Sequence, residues 1–208
     1  MRPGVNPYAC YDTLFVISRT QQVMGNAMAG EVHLLAYLAC LLSMYRGRAA
    51  SDWGYWFIRS PYGAPYSSDI DRAVESMQAN GWIGGVDRHL TLSSAGGLML
   101  ETLSQLGQNG PRKGPLDAAC ASILSVPMGI VRTAVSMEPE LRNAEALSLD
   151  RTLLDEPEIP VPLHDQFEAL RRALGIRVAD LMVPAVVWLS YLSRVAQEEM
   201  GMQEPLTP

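Results

Sequence analysis

The side chains best suited to metal ligation or nucleophilic chemistry in this sequence are three histidines, His33, His89 and His164, and three cysteines, Cys10, Cys40 and Cys120. Metal sites need short repeated spacings, so that one turn or loop presents two ligands at once, and a nucleophile needs a base held beside it. These six residues are scattered through segments of different type and include no CxxC pair, so they imply neither a zinc cluster nor a disulfide framework. His33 falls in a mostly apolar helical segment, where a hydrogen-bonded structural imidazole is expected. His89 sits at a polar ribbon tip beside Arg88, solvated or touching a partner or phosphate, and His164 opens a helix after Pro162 and Leu163. The acidic run Asp155-Glu156-Pro157-Glu158 lies among prolines and reads as a solvated loop rather than a paired acid and base. There is no phosphate-binding GxxxxGK[ST] loop, no GxGxxG, no HExxH and no GxSxG. The expectation is a protein without catalytic, cofactor-binding or metal-binding residues.

The elements that position these residues are organised around residues 51–92. Pro61, Gly63 and Pro65 force a turn, Ser67 and Ser68 offer a helix N-cap, and Asp69 and Asp71 fall in the first turn, where the helix dipole favours negative charge. The pattern predicts a helix from about Ser68, with Ile70, Ala73, Val74 and Met77 on one face and Asn80-Gly81 as its stop. Trp82-Ile83, a turn at Gly84-Gly85 and Val86 to Leu92 then read as a β-ribbon with Asp87, Arg88 and His89 at its tip. Upstream, Leu34, Leu38, Leu41, Leu42 and Tyr45 mark a central helix over 31–45, preceded by a helical segment at 8–28. The aromatic stretch from Ser51 to Ile58 suits a short strand paired with the later ribbon, with Trp53, Tyr55 and Phe57 alternating inward. Ser93 or Ser94 caps a further helix through Leu106. The fold class expected is mainly α: a winged-helix module with a small ribbon over 1–106, and a helical C-terminal region over 115–208.

The boundary is placed at 107–115, which holds three glycines and two prolines. Helical segments follow at 116–125, 128–138 and 140–154, then a proline-bracketed connector, an amphipathic helix from His164 to Leu174, and a last helix over about 178–200. That last helix is apolar almost all round through its first half, with Pro184 compatible with a kink. Trp188, Tyr191 and Leu192 are the candidate protein interface, because aromatic anchors dominate interface energy.

The chain has 208 residues, 48% of them hydrophobic, and a formal net charge of −6, a balance that argues against a protein whose main task is gripping phosphates. The would-be recognition helix over 68–80 itself carries a net charge of −2, from Asp69, Asp71 and Glu75 against Arg72. Arg88 and His89 are the only candidate nucleic-acid contacts, so direct DNA binding is expected to be weak or absent. No apolar run approaches the ~18 residues of a membrane span and no leader pattern is seen, so no membrane partner and a cytoplasmic location are expected.

The segment Tyr37 to Tyr45, Ser51-Asp52-Trp53-Gly54-Tyr55, Tyr62-Gly63-Ala64-Pro65-Tyr66-Ser67, Asn80-Gly81-Trp82-Ile83 and Leu90 to Gly96 together resemble the middle components of bacterial ABC-three-component defence systems, including Lamassu-type systems. The same pattern is similar to that of Panacea-type antitoxin and phage-associated domains. The resemblance covers the first half and, more loosely, Ser122 to Glu140 and Leu181 to Leu192. It implies a small non-catalytic subunit linking an ABC or SMC-like ATPase to an effector such as a nuclease in anti-phage defence. A winged-helix transcriptional regulator or antitoxin is the alternative. The acidic helix departs from the DNA-binding side of that resemblance.

Overall fold

A computed structural model describes residues 4–86, 88–146, 152–154, 160–175 and 180–202. These residues are mainly helical, with small antiparallel sheets. Helix α1, Pro7–Met24, starts where the Asn6 side chain accepts from the Tyr8 and Ala9 amides, and stops at the left-handed Gly25. Strand β1, Ala27–Met28, leads into α2, Ala29–Tyr45, which is buried on nearly every side and forms the centre of the molecule. A 3-10 turn at Ala50–Trp53 and the hairpin β2, Phe57–Arg59, and β3, Pro65–Tyr66, follow. Helix α3, Ser68–Ala79, then leads to strands β4, Ile83–Gly84, and β5, His89–Leu92, and helix α4, Ser94–Ser104.

The remaining elements are α5, Gly110–Ser122; α6, Met128–Ser136; α7, Pro139–Ala146; β6, Thr152–Leu153; α8, Val161–Leu174; and α9, Met182–Met202. One sheet has the order β1-β5-β4, with Ala27 opposite Leu90 and Ile83 opposite Leu92; the other has the order β3-β2-β6.

Three expectations change. The aromatic segment does not pair with the later ribbon: only Phe57–Arg59 is extended, and it pairs with Pro65–Tyr66 and with Thr152–Leu153. Trp53, Tyr55 and Phe57 are nevertheless all buried while Trp56 is exposed, although Trp53 belongs to the 3-10 turn and not to a strand. Of the helix expected over 140–154, the described residues to Ala146 are helical, residues 147–151 lie outside the described residues, and Thr152–Leu153 instead form the edge strand β6. Pro184 produces no kink by its position, since it stands in the first turn of α9, where an amide would have no carbonyl one turn back.

The glycine- and proline-rich stretch 107–115 folds as a 3-10 turn and the start of α5, with Pro111 in the first turn, where its fixed φ suits a helix. Helices α1 and α2 pack on α5, α5 and α6 pack on α9, and the buried residues form one core from Ala9 to Leu192. The acidic run at 155–158 and Asp87 lie outside the described residues, as does the start of the expected helix at 178.

Candidate functional site

Ionisable side chains inside this fold are tied to one another. Asp12 on α1 is fully buried and receives Arg112 Nε at 2.8 Å, Arg112 Nη2, and the Tyr55 hydroxyl at 2.6 Å. The Arg112 guanidinium lies 3.9 Å from the Trp53 ring centroid and 4.9 Å from that of Tyr8, and donates to the Trp53 carbonyl. An ion pair this deep survives only when its remaining polar atoms are also satisfied, which the hydroxyl and the carbonyl do. Sequence reading missed it because the partners lie 100 positions apart.

A second network is built on Glu138, between α6 and α7. Its carboxylate accepts from the Tyr37 hydroxyl at 2.8 Å and from the backbone amides of Glu140 and Leu141, so it caps α7 and ties it to α2. Burial pushes the carboxyl up to about 7, against the three donors that favour its charged form.

The acidic first turn of α3 is held from behind. His33 on α2 accepts the Ser67 amide at Nδ1 and lies 3.1 Å from Asp71 Oδ1 through Nε2, and the Tyr66 hydroxyl donates to Asp71 Oδ2 at 2.7 Å. The His33 ring also stacks on Tyr66. The His33 hydrogen bond is the largest effect holding the Asp71 carboxyl below its usual range, so this residue stays an anion at neutral pH. Glu75 is exposed and Asp69 half-buried on the same helix. His33 is therefore a structural clamp that fixes a negative helix end.

Arg88 and His89 do sit together at the ribbon, but they differ in freedom. His89 Nδ1 is 3.0 Å from Asn26 Oδ1, which ties it to the loop before β1, whereas the Arg88 side chain makes no hydrogen bond or ion pair among the described residues. The left-handed backbone of Arg88, at φ 69°, turns its carbonyl onto the Ala29 amide at the start of α2. His164 stands in the first turns of α8 and is exposed.

The candidate interface on α9 divides. Trp188 and Leu192 are core residues, 2% and 1% exposed: Trp188 packs edge-on against Phe167 and donates to Gln166 Oε1. Residues 188 and 192 share one buried face at i, i+4, while Tyr191 is turned to solvent in line with Val183 and Val187. A groove between α8 and α9 runs beside this line, lined by Ala169, Ala173, Val187 and Tyr191.

Among the described residues no three His, Cys, Asp or Glu side chains converge as a metal site. Cys10, Cys40 and Cys120 are free and buried, and burial pushes the Cys10 thiol up to about 11, far from a reactive thiolate at neutral pH. No described helix is long and apolar enough to cross a membrane. Compared with known protein families, curated proteins and solved structures, the chain matches none.

Proposed function

We propose that this protein is a non-catalytic accessory subunit that links an ABC or SMC-like ATPase to an effector such as a nuclease in a bacterial anti-phage defence complex, with a winged helix as its docking module. The element order α1-β1-α2-α3-β4-β5 and the sheet order β1-β5-β4 support the winged-helix reading. The β2–β3 hairpin is then an insertion between the second and third helices. The observation that carries the docking role is the His33-clamped Asp71 at the start of α3: a fixed negative charge stands where a recognition helix would meet phosphates. Tyr191, Val183 and Val187 supply an exposed apolar line on the opposite part of the chain.

The test is co-expression with the ATPase and effector encoded beside it, followed by size-exclusion chromatography, with duplex-DNA anisotropy on the isolated subunit at ~150 mM salt. A three-protein complex with no submicromolar DNA binding is expected. A subunit that elutes alone and binds a defined duplex tightly would instead favour the second reading, a winged-helix regulator or antitoxin. The exposed Arg88 at the ribbon turn is the feature that favours that alternative.

A further inference from the structure

A cavity of about 450 Å³ opens at the N-terminal end of α2, between the β4–β5 turn, the tip of the β2–β3 hairpin and α6. Its floor is apolar, from Leu34 and Pro65, and Tyr62 stands at its lip with 95% of its surface exposed. Two arginines from unrelated elements enter it. Arg88 comes from the turn before β5, and Arg132 comes from α6. Arg132 spends only Nη2 on Glu31 Oε1, at 3.0 Å, and on Met28 Sδ; among the described residues its Nη1 and Nε have no partner. The hairpin tip is fixed by the Ser60 amide donating to the Ala64 carbonyl at 2.8 Å and the Gly63 amide donating to the Ser60 carbonyl at 2.9 Å, so Tyr62 is displayed on a closed turn.

We propose that this cavity binds a small phosphomonoester that carries a flat ring. Both guanidiniums line this one cavity, and paired arginines suit a phosphate dianion. The Ala29 amide is already given to the Arg88 carbonyl and the Met28 amide to Glu31, so the two arginines alone would hold the anion. A phosphate alone leaves most of about 450 Å³ unfilled, and the volume falls in the ~300–1,000 Å³ range of small-molecule sites. The apolar floor and the Tyr62 ring receive the rest of the ligand, and a planar group stacks there at little entropic cost. In a chain of net charge −6, two guanidiniums with unspent donors facing one cavity mark a local exception to the prevailing charge. The site is separate from the α9 surface and does not depend on the docking role, although its Arg88 also favours the Asp71 anion through space.

The full chain is titrated with AMP, phenyl phosphate and inorganic phosphate by isothermal calorimetry, and with a single-stranded oligonucleotide as a competitor. One-to-one binding of the two ring-bearing phosphates is expected, at least roughly tenfold tighter than inorganic phosphate. Arg88→Asn, which suits the left-handed backbone better than arginine, should weaken binding roughly tenfold or more without lowering the melting temperature. Gly30→Leu places a side chain where a Cβ meets nothing within 4 Å, on the wall of the cavity, and should abolish binding in a folded protein. Failure of both ring-bearing phosphates to saturate at millimolar concentration overturns the proposal. So does affinity unchanged by Arg88→Asn and Gly30→Leu, or equal affinity for inorganic phosphate. An oligonucleotide that binds more tightly than AMP overturns it in favour of a nucleic-acid contact.

Discussion

Arg112 on α5 and Asp12 on α1 form a two-pronged ion pair, with Arg112 Nε 2.8 Å from Asp12 Oδ1, in a site closed to solvent by Tyr8, Trp53 and Tyr55. It joins the first helix to the stretch that sequence composition marks as a boundary.

Removing one partner of that pair should be far worse than removing both. Arg112→Met leaves an uncompensated buried carboxylate and should cost on the order of 3–5 kcal/mol, whereas Asp12→Leu with Arg112→Met should recover much of the loss. Urea melts of the two single variants and the double variant form the cycle. Additive losses would mean that the residues are not coupled.

Glu138 makes stability depend on pH. Its folded-state carboxyl is raised to about 7 from an ordinary 4.5, so the folded chain holds this proton more tightly than the unfolded chain does. The contribution is fully present below about pH 4.5, is lost as pH rises through about 7, and is flat beyond that. The stability of the wild type relative to Glu138→Gln should therefore fall as pH rises from about 4.5 through about 7. Glu138→Gln should still be the less stable protein in acid, since its amide nitrogen faces a backbone donor. A pH-independent difference would place Glu138 in contact with water.

On α9, Trp188→Ala should cost roughly 3–5 kcal/mol through the cavity it leaves beside Phe167, while Tyr191→Ser should change stability by no more than about 0.5 kcal/mol. Co-purification with the partner ATPase should respond in the opposite way, falling in a Val187→Ser, Tyr191→Ser double variant whose thermal melt matches wild type. A melt that collapses in Tyr191→Ser would make that side chain core as well.

Gly85 closes the β4–β5 ribbon at φ 144°, and a Cβ there would stand 1.7 Å from the His89 carbonyl oxygen. Gly85→Ala should cost on the order of 3 kcal/mol or more, because backbone must move. Gly30→Ala in α2 should instead gain roughly 0.5–1 kcal/mol, from helix propensity alone. Equal melting temperatures for the two variants would show that the ribbon turn is formed differently.

What the sequence determined by itself is local. The two aspartates in the first turn and the left-handed Gly81 mark α3 at Ser68–Ala79, because dipole and left-handed geometry are properties of a few adjacent residues, whereas the Ser67 side chain makes no capping bond. Phe167 and Leu170, at helical spacing in the helix expected from His164 to Leu174, likewise marked the buried face of α8, while Leu163 joins that face from just before the expected start. Tertiary structure alone decided which surfaces meet. Strand β2 takes β6 rather than the ribbon, since strand pairing depends on which edges packing brings alongside, and two-residue strands carry almost no pattern. Arg112 finds Asp12, and Arg88 comes to share a cavity with Arg132, through contacts that no local spacing records. An apolar helix such as α9 lacks the polar stripe that would mark its outer face, so only the packing of α5, α6 and α8 left Tyr191 outside and put Trp188 within.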